Sequence, residues 1–180
     1  RVLAQVLEMP ARFLGGFADD GGCSEGPSYW QFGFGWYLRL AAGLAEASDG
    51  RVDLMADAKI DRIVRYPLAA FLAPGQPVPF ADSPAHLYLE PNVVALVNRF
   101  RDVPELFGLC QRHPDGRAVA ATLWDLLLYD GGAVPPYQDN ADYTLEALQV
   151  VKRCAGPSRL AAKAGHNGEM HNHNDVGSLV

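Results

Sequence analysis

The stretch from Tyr29 to Leu44 constrains this chain more than any other, because a helix carrying Trp30, Phe32, Phe34, Trp36, Tyr37 and Leu40 has no obvious wet face. Such a helix has to sit inside other helices. The neighbouring patterns supply them. Residues 1 to 18 place Val2, Leu3, Val6, Leu7, Phe13, Leu14 and Phe17 at helical spacing, with Pro10 expected to bend that helix or end it early. Leu54, Ile60, Ile63 and Val64 carry a further helix toward Pro67. Residues 73 to 84 read as a proline-rich surface loop, and short helical patterns follow at roughly 91 to 101, 104 to 112 and 117 to 128, each begun or ended by Pro or Gly. Short helices in pairs suggest stacked hairpins.

The pattern changes after Asp130-Gly131-Gly132-Ala133-Val134-Pro135-Pro136. Tyr143 to Cys154 and Arg159 to Ala164 read as strands separated by Ala155-Gly156-Pro157-Ser158, although Leu145 to Lys152 also has helical propensity. A third strand is expected to hold the terminal segment GHNGEMHNHNDVGSLV and to continue into a buried VGSLV. Helices first and strands afterwards predict an α+β chain, helical over residues 1–130 and β over 131–180.

A length of 180 residues with 49% hydrophobic content allows a real core. The net charge of -6 argues against a nucleic-acid partner, whose phosphates need a basic face, yet leaves room for an anionic sugar held by a few local cations. No apolar run approaches the roughly 20 residues of a membrane span, and no signal-peptide order is present. Because the chain opens on Arg1 inside a helical pattern and closes on Val180 inside an expected strand, it is expected to be an internal piece of a longer protein. Cys23, Cys110 and Cys154, odd in number and widely spaced, fit neither a disulfide framework nor a zinc finger and are read as inert thiols.

Two polar clusters carry the candidate chemistry. In the terminal one, three of the five histidines fall within eight residues. An extended backbone would place His171, His173 and Asp175 on one face, with Asn172 and Asn174 on the other. Imidazole is the commonest neutral metal ligand and the usual acid or base near neutral pH, so this row suits a metal, a proton relay, or both. In the other cluster, Asp19 to Trp30, adjacent glycines permit tight backbone geometry. Glu25 precedes a helix whose amides would stabilise its charge, and Tyr29 and Trp30 supply rings on which a sugar stacks. His86 and His113 read as ordinary surface residues.

DGGCSEGPSYW at residues 20 to 30 and AGHNGEMHNHNDVGS at 164 to 178 together resemble the heparinase II/III-like family of polysaccharide lyases. The second stretch is the more specific. The resemblance implies an incomplete α/α toroid of helical hairpins followed by the start of an antiparallel β-sandwich. It implies β-elimination at a uronic acid in an acidic polysaccharide, in a periplasmic or secreted setting. It also implies His171 as the cleft histidine, a catalytic tyrosine at Tyr66 or else Tyr29, and Glu25, Trp30, Asn172 and Asn174 on the substrate. His173 resembles the family's ligand to a structural zinc, with Asp175 beside it on the same face. Where the family often has His or Asn in the first loop, this chain has Cys23, Ser24 and Glu25. Two alternatives stay open: a metal-dependent hydrolase using His171, His173 and Asp175 to activate water, and a sugar-binding protein without catalysis.

Overall fold

A computed structural model describes residues 2–138, 140–165, 168 and 177–180. Helix α1 (Val2–Gly15) runs through Pro10 without breaking. α2 (Pro27–Tyr29) starts on a proline, where the missing N–H costs nothing. It continues through a π-turn (Trp30–Phe34) into α3 (Gly35–Ala47). One aromatic cluster knits these together: Phe34 stacks on Tyr37 at 5.5 Å and meets Phe17 edge-on at 6.0 Å. Tyr37 donates its hydroxyl hydrogen to the Leu54 carbonyl at 2.6 Å.

The π-turn adds a residue to the helical repeat and so resets which side chains face inward. Trp30, Phe34, Tyr37, Leu38 and Ala41 are buried, while Phe32, Trp36 and Leu40 face outward. Among the described residues nothing encloses that outer face, so the expectation of a helix surrounded by helices holds for one side only.

The segment expected as a single helix toward Pro67 is two, α4 (Ile60–Ile63) and α5 (Tyr66–Ala70), with Pro67 inside the first turn of α5. The chain then forms β1 (Phe71–Ala73), which pairs antiparallel with β2 (Gln76–Pro77). The proline-rich stretch is therefore not a surface loop throughout, since Val78 and Phe80 are buried. Gly75 turns this hairpin at φ 76°, and a Cβ there would lie 2.6 Å from the Tyr88 ring. α6 (Pro91–Phe100) buries Val93, Val94, Leu96 and Val97, and Asn98 ties its end to the next segment by accepting from Val103 N at 3.0 Å. A 3-10 turn (Pro104–Leu109) and α7 (Leu123–Leu128) complete the helical part.

β3 (Tyr143–Leu145), β4 (Val150–Ala155) and β5 (Ser158–Lys163) form one antiparallel sheet in sequence order. The ambiguous Leu145–Lys152 stretch is neither helix nor continuous strand. It is a turn in which Gln149 takes φ 51° and donates to Glu146 O, so that Leu145 pairs with Val150. Residues 177–180 pair with β5: Gly177 N donates to Lys163 O at 2.8 Å, and Ala161 and Val180 exchange both bonds. Leu179 and Val180 are exposed, which corrects the expectation of a buried VGSLV.

The expected architecture, an α+β multidomain chain with an incomplete α/α toroid of helical hairpins leading into an antiparallel β-sandwich, is not what forms. After α3 the helices span four to ten residues, at most about 15 Å, too short to stack as toroid hairpins. Pro67, Pro91 and Pro104 each restart the chain at a helix N-terminus. The three-stranded sheet packs through Val150 and Ala161 against Leu72, Val78 and Phe80 of the β1–β2 hairpin and its exit, a partner of two short strands rather than the second sheet of a sandwich. Its Leu145 belongs to the same buried cluster as Trp30, Ile63 and Val97, with Tyr143, Leu148 and Val150 packed against it. Among the described residues no helix is long and apolar enough to cross a membrane.

Candidate functional site

The Asp19–Gly26 loop is held from three sides. Within it, Gly21 N donates to Ala18 O at 2.9 Å and Gly22 N to the Asp20 carboxylate at 2.9 Å. From α4, Arg62 Nε donates to Asp19 O at 2.6 Å. Gly21 has φ 86°, and a Cβ on it would meet the Arg62 backbone carbon at 2.4 Å, so only glycine lets the loop lie this close to α4. From the sheet, Ala147 N donates to Asp20 Oδ2 at 2.9 Å, and Gly22 lies under the Leu148 side chain.

Two spaces open on either side of Cys23 and Ser24. The first is a small cavity of about 30 Å³ between Cys23, Tyr66, Leu145, Leu148 and Lys163, large enough for a water molecule or two. Tyr66 is buried, and its hydroxyl donates to Cys23 O at 3.2 Å. Burial pushes its phenol well above the usual tyrosine range, and the negative fields of Cys23 and Asp20 push the same way. Burial likewise raises the Cys23 thiol to about 11, with a further push from Glu25. Both groups are neutral near pH 7. Lys163 Nζ enters the same cavity wall from β5 and donates to Leu148 O at 3.3 Å.

The second space is a surface groove of about 400 Å³, walled by Arg12, Phe13, Ser24, Glu25, Tyr29 and Phe32. Helix α1 supplies one side, and the loop with the π-turn supplies the other. Glu25 does not cap α2: the N-cap is Gly26, with no side-chain capping bond. Tyr29 is exposed at the groove. Trp30, one residue further on, points the other way. It is fully buried, with Nε1 donating to Ile63 O at 2.8 Å, and offers no ring face to a ligand.

The structure therefore brings Glu25 and Tyr29 together on one groove and places Tyr66 behind them, across Cys23. His171, Asn172, His173, Asn174 and Asp175 lie outside the described residues. Of the flanking residues, Gly177 pairs with Lys163, and Lys163 walls the small cavity. Among the described residues no group of three or more His, Cys, Asp or Glu converges as a metal site.

Sequence reasoning passed over three cations. Arg12 lines the groove. Lys163 and Lys152 are buried, the latter with Nζ donating to Leu68 O at 2.6 Å and to the Tyr137 hydroxyl at 3.3 Å. Alternation along the strands carried the signal, since Lys152 sits two positions from Val150 and Lys163 two from Ala161. No family model matches the chain, and no curated protein matches it.

Proposed function

We propose that the chain carries the substrate-facing part of a lyase site that cleaves a uronic-acid-containing polysaccharide by β-elimination. One observation carries this reading: Cys23 and Ser24, from the Asp19–Gly26 loop, and Lys163, at the root of the histidine-rich segment, wall one cavity although they lie some 140 positions apart in sequence. The residue that immediately precedes the second stretch carrying the family resemblance thus lies beside the first, and the adjoining groove is open and lined by an aromatic ring, a carboxylate and a guanidinium.

In the proposed reaction a base removes the C5 proton of the uronate. The electron pair forms the C4–C5 double bond, the C4–O bond breaks, and the departing oxygen takes up a proton. Tyr29 takes the proton-transfer role rather than Tyr66, because Tyr66 is sealed in the core, donates its proton to Cys23 O and is held firmly neutral. Arg12, on the opposite wall of the groove, offsets the substrate carboxylate. His171 stabilises the enolate-like intermediate from the terminal segment, as an oxyanion hole does. The substrate reading places the protein in the periplasm or outside the cell.

The test is incubation with a panel of uronate polymers, such as alginate, pectate, hyaluronan and heparan sulfate, with near-ultraviolet absorbance reporting the unsaturated product. Tyr29→Phe is expected to lower the rate by about 100-fold or more, the range for losing a general acid or base, and Tyr66→Phe to leave it within a few-fold. Full turnover by Tyr29→Phe would remove that residue from the mechanism. Binding with no product from any polymer would reject catalysis.

A further inference from the structure

The outward stripe of the π-turn and α3 and the adjoining face of α7 form one apolar surface that shares only Phe32 with the groove. Phe32, Trp36 and Leu40 follow each other at four-residue spacing and are 67%, 50% and 40% exposed. They line up on one face of the helix. Across the gap, Leu123, Trp124 and Leu127 of α7 are 70%, 41% and 65% exposed. The two faces are continuous, because Trp36 and Trp124 meet edge-to-face at 5.9 Å. Arg39 lies between the indoles, 4.9 Å and 5.1 Å from their centroids. Its charge is turned inward, where it donates to Asn92 Oδ1 at 2.5 Å and lies 3.5 Å from a Glu90 carboxylate oxygen.

We infer that this surface is a self-association face, covered by the same face of a second copy of the chain. Area is the first reason. With aromatic side chains at about 150–250 Å² each, the six exposed groups present on the order of 500 Å² per copy, the size of the largest apolar patch on a typical monomer, which is often functional. Two copies would bury about 1,000 Å², the threshold for a specific interface, before any polar rim is counted. Composition is the second. Exposed leucines on both helices suit a protein partner better than a sugar, which would use the indoles and leave the leucines wet. Charge is the third. The chain carries a net charge of -6, yet these six side chains bear none and the cation among them is internally matched, so a like-charged second copy meets no repulsion there. A two-fold axis satisfies the same patch on both copies at once. Gly43, one turn beyond Leu40, has nothing within 4 Å of where a Cβ would stand, so the backbones can approach closely at that end of the stripe.

Sedimentation equilibrium of the 180-residue chain across about 1 to 200 μM measures the mass directly. A dimer is expected, with Leu40→Glu and Leu127→Glu each weakening dimerisation at least tenfold. Both positions are exposed, and far-UV circular dichroism confirms that the variants keep their fold. A monomer throughout the range would overturn the inference. So would a dimer whose affinity neither substitution changes, because another surface would then make the contact.

Discussion

Asp125 offers the sharpest test of how the helical part is held together, because one buried carboxylate joins α6 to α7. Its Oδ1 accepts from Asn92 N at 3.0 Å and Asn92 Nδ2 at 2.6 Å. Oδ2 accepts from Ala121 N at 3.0 Å, Thr122 N at 2.9 Å and Thr122 Oγ1 at 2.8 Å. Thr122 Oγ1 in turn accepts from Asp125 N at 3.1 Å, which closes a capping box. In Asp125→Ala the donors on exposed Ala121 and Thr122 turn to water, but Asn92 is fully buried and cannot. Two orphaned buried donors at about 1–3 kcal/mol each, with partial relaxation, together with about 1 kcal/mol for the lost cap, give a loss of roughly 3–5 kcal/mol. Asp125→Asn keeps the shape but turns an amide donor or a weaker acceptor toward the same N–H groups, for a loss of about 2 kcal/mol.

The pH dependence separates this account from generic packing. Burial pushes the Asp125 carboxyl up, but the hydrogen bonds from Asn92 and Thr122 outweigh it and hold the group below the usual carboxylate range. A carboxylate whose folded-state pKa is depressed contributes stability that is present above its unfolded value of about 3.9 and is lost as pH falls through the folded value. Urea unfolding followed by tryptophan fluorescence, with Trp124 on α7 as a local reporter, should therefore show the Asp125→Asn deficit in full at pH 7. The deficit should shrink as the pH drops below about 4. A deficit equal at pH 7 and pH 2, or a loss under 0.5 kcal/mol or so at pH 7 against the 2 expected for a charged hydrogen-bond acceptor, would refute the reasoning.

Two further perturbations test the loop beside the groove. Gly21→Ala and Gly50→Ala both place a side chain at positive φ, 86° and 76°, but a Cβ at Gly21 meets the Arg62 backbone at 2.4 Å, whereas nothing lies within 4 Å at Gly50. Gly50→Ala should cost about 1–2 kcal/mol for backbone conformation alone, and Gly21→Ala clearly more in the same urea titration; equal losses would mean that the close approach to α4 is not a packing constraint. Alkylation of Cys23 by iodoacetamide, resolved by peptide mapping, should be slow at pH 7 and rise about tenfold per pH unit toward the thiol's value of about 11; a plateau below pH 9 would contradict the burial of that thiol.

Legibility from sequence tracked how local the determining physics was. α6 is found at Pro91–Phe100, where its periodicity and leading proline put it, because a proline start and a valine-rich face are both encoded within a few residues. The β4–β5 hairpin follows its Gly156-Pro157 turn for the same reason. The toroid expectation failed where helix length mattered: periodicity marked apolar positions but could not show that Tyr66–Ala70 stops after five residues and hands Phe71 to a strand. The π-turn was equally hidden. It decides that Trp30 is buried while Phe32 and Trp36 are exposed, and an ordinary helical wheel cannot give that division. At the site, Glu25 and Tyr29 were legible because they are four positions apart on one loop and helix start. The role of Lys163 was not, because a lysine at a strand end is ordinarily read as solvated. Here the pairing of Val150 with Lys163 places its side chain on the inner face of the sheet, against Leu148 and the cavity shared with Tyr66. That pairing also sets Lys163 across the cavity from Cys23 and Ser24. The register of a three-stranded sheet therefore decides whether Lys163 reaches the Asp19–Gly26 loop, and a one-residue slip would turn it outward.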